Sequence, residues 1–123
     1  MFIIKETKNT PYVKISVAEG IFEIKGNSNA SDNNEFYDMI IAELKNQFAD
    51  FNSKLICRFY YNVFNSTSYK KLIQLFIFLD NQYKIGKNIS VKWIFNETDY
   101  DNESIGKDLS DVFGFPIELI SQK

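Results

Sequence analysis

Between positions 11 and 26 the chain alternates apolar and polar residues twice, in PYVKISV and again in GIFEIKG, with Ala18-Glu19-Gly20 between the runs. A period of two is what a strand with one buried and one wet face requires, so the segment predicts an antiparallel hairpin. A short edge-like strand, FIIKE, precedes it. The period then changes. Phe36, Ile40, Leu44 and Phe48 recur every four residues, and Asp32 with Glu35 three positions later forms a capping box, which predicts a helix ending near Asp50 to Ser53. KLICRFYYNVF is a nearly unbroken apolar run of strand length, the mark of a strand covered on both faces or lying in the middle of a sheet. A second helix is predicted from Ser66 to about Tyr83, closed by Gly86. NISVKWIF makes a further strand, NETDYDNES a polar acidic connection, Glu103 to Phe113 a short helix, and FPIELI a last strand.

The predicted order is a β-hairpin followed by α-β-α-β-α-β. Strands separated by helices connect by crossovers, which are right-handed and parallel in nearly all cases, so the sheet is expected to be mixed, with an antiparallel hairpin appended to parallel strands. The chain has 123 residues, 45% of them hydrophobic and 24% charged, which fits one α/β domain over 1–123. No repeat, linker or low-complexity tract interrupts it.

Composition narrows the chemistry. The formal net charge is −2 and the lysines are scattered, so nucleic acid is not an expected partner. The N-terminus is apolar for only three residues, short of the roughly 7 to 15 of a signal-peptide core, and no run approaches the roughly 18 of a membrane span. A cytoplasmic protein is expected, and sequons such as Asn65-Ser66-Thr67 and Asn96-Glu97-Thr98 then carry no glycan. Cys57, the single cysteine, lies in an apolar run and reads as a small buried hydrophobe.

The chain has no histidine. That removes Ser-His-Asp and Cys-His nucleophilic systems, histidine-ligated zinc and the commonest general base near neutral pH. The pair Gly86-Lys87 lacks the upstream glycine and following hydroxyl residue of a phosphate-cradling loop. Asp99, Asp101 and Glu103 alternate as at the start of a calcium loop, but Ser104 stands where that loop turns on glycine and no glutamate closes it. Neither metal nor cofactor is expected; the acidic segment reads as a solvated rim or a docking surface for a basic partner. No catalytic residues are assigned, and an enzyme is not expected.

The stretch YYNVFNSTSYKK is different in kind. Asn65, Ser66, Thr67 and Ser68 stand together at a strand-to-helix junction, where one short polar side chain suffices to cap the helix. The surplus hydroxyls are then either redundant caps or exposed groups at the positive end of a helix dipole, a position that accommodates a phosphate well. Beyond the expected core stripe of Leu72, Leu75, Phe76, Leu79 and Tyr83, the residues Tyr69, Ile73 and Ile77 widen the apolar arc to about twice what a helix on a sheet uses. A neighbouring helix or a docking protein must cover the excess.

Phe64-Asn65-Ser66-Thr67-Ser68, followed by Lys70 and Leu72, resembles the Phe-Asn-Thr-Ser-Ser segment, with its following Lys and Leu, of the SiaC family of bacterial regulatory phosphoproteins. The likeness extends in order and spacing through Thr10-Pro11, Val13, Gly20, Ile24, Gly26, Ser28, Glu35-Phe36-Tyr37, Val91, Trp93, Glu97, Asp99, Asp101, Gly106, Asp108 and Phe115. It implies a fold similar to the STAS domains of anti-sigma-factor antagonists, with a hydroxyl residue at a helix start that is reversibly phosphorylated. By position that residue is Ser66, with Asn65, Ser68 and Lys70 as its neighbours. The family threonine is a serine here with Thr67 adjacent, so Thr67 is the alternative. The family's Pro-Glu-Asn before the first helix is Ala30-Ser31-Asp32.

In such systems a dedicated Ser/Thr kinase adds the phosphate, a metal-dependent Ser/Thr phosphatase removes it, and the unphosphorylated form binds and activates a diguanylate cyclase. The resemblance therefore implies a signalling adaptor; independently of it, the wide apolar arc offers Tyr69, Ile73 and Ile77, and the acidic segment Asp99 and Asp101, as candidate partner-binding residues. The competing class is a STAS-like module that binds a small molecule or lipid without switching, which needs a concave apolar pocket.

Overall fold

The structure, a computed structural model, describes residues 1–30, 34–49 and 54–123. β1 (Phe2–Ile4), β2 (Tyr12–Ser16) and β3 (Ile21–Ser28) form an antiparallel meander, and the hairpin expected from the period-two pattern pairs Val13 with Ile24 and Ile15 with Phe22. Its turn passes through one 3₁₀ turn and Gly20 at φ 76°, where a Cβ would lie 2.5 Å from the Lys54 carbonyl oxygen. Both the left-handed backbone and the close approach call for glycine.

The chain then alternates through α1 (Asn34–Phe48), β4 (Lys54–Phe64), α2 (Ser66–Lys84), β5 (Asn88–Asn96), α3 (Tyr100–Val112) and β6 (Ile117–Gln122). The strands stand in the sheet in chain order, and β3 to β6 are parallel. Because each crossover advances one position in the same direction, right-handed connections place the helices on one face of the sheet. Burial follows. Leu55, Cys57, Phe59 and Tyr61 of β4 are buried beneath the helices, while Ile56, Arg58 and Tyr60 between them are half-buried on the other face. β4 thus lies in the middle of the sheet with one face under helices. On the opposite face a row of Lys14, Glu23, Arg58, Lys92 and Glu118 crosses five strands in register, with Arg58 Nε 3.7 Å from Glu23 Oε2.

Ile40, Leu44 and Phe48 of α1 are buried as their spacing predicts, but the helix also buries Tyr37 completely, a residue the four-residue repeat does not select. The capping box at Asp32 and the helix end at Asp50 to Ser53 lie outside the described residues. α2 runs one residue beyond the predicted end and is followed by Gly86 at φ 103°. Cys57 is buried, and burial pushes its thiol well above the ordinary range. Among the described residues no helix is long and apolar enough to cross a membrane.

The acidic connection is the main correction. α3 begins at Tyr100 rather than Glu103, because Asp99 caps it: Oδ1 accepts the Asn102 backbone N–H at 3.1 Å and Oδ2 the Asn102 side-chain amide at 2.8 Å. Asp101 and Glu103 fall in the first turn, where negative charge is favourable. α3 lies close on the sheet through Gly106, where a Cβ would stand 2.5 Å from Trp93 Cδ1 and 2.6 Å from Leu119 Cδ2. Gly106→Ala is therefore expected to destabilise the protein by about 1–3 kcal/mol through overpacking, despite alanine's better helix propensity. Chemical denaturation checks this, and an unchanged or raised midpoint would contradict the close approach.

Candidate functional site

β4 leaves the sheet at Phe64 and the chain turns directly into α2. Asn65 is the cap: its Oδ1 accepts the Ser68 backbone N–H at 2.9 Å and its Nδ2 donates to the Ala30 carbonyl at 3.3 Å. One residue therefore does the capping, and the three hydroxyl residues after it have separate fates. Ser66, the first helical residue, is exposed. Thr67 is half-buried. Ser68 is fully buried, and its hydroxyl donates to the Ser28 carbonyl at 2.6 Å while accepting from Ser28 Oγ at 2.8 Å. The expectation that all the surplus hydroxyls face solvent fails for Ser68, whose position on α2 points it at β3. Neither Ser66 nor Thr67 makes a side-chain hydrogen bond among the described residues.

Ser66 borders a depression of about 370 Å³ between α2 and α3, lined by Phe64, Asn65, Ser66, Tyr69, Ile105 and Asp108. The Phe64 and Tyr69 rings meet edge to face at 6.2 Å and build its aromatic wall. Ile73 and Ile77 continue the flank of Tyr69 one and two turns along; Ile73 packs against the core and Ile77 is 48% exposed. α1 takes the other flank, where the buried Lys71 pairs with Asp38 at 2.7 Å and Phe78 meets Phe48 at 5.7 Å. The wide apolar arc is thus covered in part by the domain and in part by nothing described. Lys70, one turn from Ser66, is exposed.

The acidic candidates separate. Asp99 is half-buried and occupied as the cap of α3, whereas Asp101 is exposed and lies one turn before Ile105. The α3 residues that reach the depression are Ile105 and Asp108. A helix that began at Glu103 would leave Asp101 outside the face that it shares with Ile105 and Asp108 in α3. The signal that could have found it was Asp99 as an N-cap followed by carboxylates in the first turn.

Beneath the junction lies a chain of buried hydroxyls that the sequence did not announce. Tyr61 OH is 3.0 Å from Tyr37 OH, which is 2.8 Å from Ser28 Oγ, which in turn meets Ser68. Burial raises the pKa of both tyrosines, most strongly for Tyr61. Among the described residues no group of three acidic, histidine or cysteine side chains is placed to hold a metal ion.

The described residues form a six-stranded mixed sheet with a hydroxyl residue exposed at the start of its second helix. The chain belongs to the SiaC family of regulatory phosphoproteins, whose model matches residues 4–122. Three solved chains share the fold at 17% identity. One, from the crystal structure of the diguanylate cyclase SiaD in complex with its activator SiaC from Pseudomonas aeruginosa, gives a TM-score of 0.91 over 99% of this chain and 100% of that one. SiaC of Pseudomonas aeruginosa gives 0.89 over 98% of each chain, and apo-SiaC of the same organism 0.86 over 97% of each. No curated protein sequence matches significantly.

The buried tyrosines make a pH prediction. A phenol whose folded pKa is raised above its unfolded value of 10.0 contributes stability that is present below that value and lost as pH rises past it, since only the unfolded chain then releases the proton. Stability should fall above about pH 10, by up to about 1.4 kcal/mol per pH unit for each tyrosine. Tyr37→Phe should make the slope shallower in urea titrations, and an equal slope would show that Tyr37 titrates alike in both states.

Proposed function

We propose that this chain is a non-enzymatic signalling adaptor of a bacterial partner-switching system. Ser66 is phosphorylated by a cognate Ser/Thr kinase and dephosphorylated by a metal-dependent Ser/Thr phosphatase. The unphosphorylated form docks on an effector protein, of the diguanylate cyclase class found with the related SiaC. The observation that carries this reading is the division of labour at the junction: Asn65 does the capping and Ser68 is spent inside the core, so Ser66 is left exposed at the first helical position with no structural task.

Phosphorylation at that place leaves the domain folded, because a dianion at a helix N-terminus favours the helix. Its effect falls on the partner. An effector seated over Tyr69, Ile73, Ile77 and the depression beside Ser66 would have to bury about two negative charges. Without a cation opposite, that costs several kcal/mol, enough for a loss of about a thousandfold in affinity at about 1.4 kcal/mol per decade.

Incubation with the kinase and ATP should add one phosphate that Ser66→Ala abolishes, with the fold retained because Asn65 still caps. Mapping of the phosphate to Thr67 instead would move the switch by one residue, and no phosphate from an active kinase would end this reading. In calorimetric titration against the effector, Ser66→Asp and Ile77→Glu, the latter at the exposed end of the apolar flank, should each weaken binding while melting within a few degrees of wild type. Wild-type affinity in both would place the effector surface elsewhere.

A further inference from the structure

The four buried hydroxyls beneath α2 have a forced proton order. The Ser28 carbonyl can only accept, so Ser68 donates to it at 2.6 Å, and the Ser28 hydroxyl donates to Ser68 Oγ at 2.8 Å. Each hydroxyl carries one proton. Tyr37 must then donate to Ser28 Oγ at 2.8 Å and Tyr61 to Tyr37 at 3.0 Å. Every proton points toward the Ser28 carbonyl, which also accepts the Asn65 backbone N–H at 3.2 Å. Such a unidirectional chain strengthens its members, and loss of one weakens the rest.

The chain ends on the first turn of α2. Ser68 is held twice, by Asn65 at its backbone N–H and by Ser28 at its hydroxyl, and Ser66 sits between the two anchored residues. The other end reaches α3: the Tyr61 carbonyl accepts Asn102 Nδ2 at 3.2 Å, and the Asn102 carbonyl accepts Trp93 Nε1 at 2.8 Å. Tyr61 therefore bears on both helix starts that flank the depression beside Ser66. Ser28, Tyr37 and Ser68 are 0% exposed and Tyr61 2%, so water competes with none of these bonds.

We infer that Ser28, Tyr37 and Tyr61 are positioning residues of the switch, fixing where α2 begins and hence how Ser66 is offered to the kinase. This rests on the reading of Ser66 as the modified residue. The apolar core alone would hold α2 against the sheet through Leu72, Leu75, Phe76 and Leu79; what the hydroxyl chain adds is the register of the first turn.

Tyr37→Phe keeps the ring and removes two hydrogen bonds, the one it donates to Ser28 Oγ, which bears on the first turn of α2, and the one it accepts from Tyr61. Amide hydrogen exchange of the intact protein should show Ser68 and Tyr69 exchanging about tenfold faster, the cost of one hydrogen bond, while Leu75 and Leu79 keep their wild-type rates. Phosphorylation of Ser66 by the cognate kinase should show kcat reduced about tenfold with KM unchanged. Ser68→Ala, which cuts the chain at its other end, should do the same and serves if Tyr37→Phe does not fold. A uniform rise in exchange along α2, or none, overturns the inference, as does first-turn loosening with normal phosphorylation kinetics. If wild-type Ser66 takes no phosphate, the switch reading fails by itself, and the exchange rates still decide whether the hydroxyl chain anchors the turn.

Discussion

The constraint on which the molecule depends is that each crossover advances the sheet by one strand in one direction. With right-handed connections this puts α1, α2 and α3 on one face and brings their N-termini to the same edge, at the C-terminal ends of the parallel strands. The positive ends of α2 and α3 thereby become neighbours, and the gap between them becomes a depression. The site is a consequence of topology before it is a consequence of any particular side chain. In open parallel sheets this edge is where binding commonly occurs.

The same topology explains what could be read in advance. Strands announce themselves by alternation or by apolar runs, so the meander, β4 and β5 were all legible, and α2 was framed by Asn65 and Gly86. The start of α3 was not, because Asp99, Asp101 and Glu103 read equally as a polar loop until one carboxylate is seen to cap and the others to face a helix dipole. Tyr37 and Ser28 escaped for another reason. A tyrosine beside Phe36 and a serine at a strand end look like surface residues, and only the tertiary meeting of β3, α1, β4 and α2 turns them into partners. Long-range polar contacts leave no periodic trace.

Four hydroxyls in the core cost desolvation that a set of apolar residues of similar shape would avoid. Their contribution must therefore be geometric. Phe76 shows the contrast: it packs against Phe59, Trp93, Phe113 and Phe115 with centroids 5.1 to 6.4 Å apart, contacts that stabilise without fixing a register. The hydroxyl chain lies only where β3 and β4 hand over to α2. Specificity is concentrated at the junction and bulk stability elsewhere.

Under the proposed switch, this arrangement also decides how a phosphate would act. Among the described residues none of the side chains lining the depression is cationic, and Asp108 already supplies a negative charge there. A phosphate on Ser66 has no ready counter-ion inside the depression; the nearest cation along α2 is Lys70, one turn away on the solvent side. The modified group is thus drawn outward, toward water and toward an approaching phosphatase, rather than inward to reorganise the domain. Because the first turn is anchored through Ser68, the added charge changes what the surface can bury and leaves the backbone where it was. A switch built this way works by the cost it imposes on a partner, and its own fold remains the same in both states.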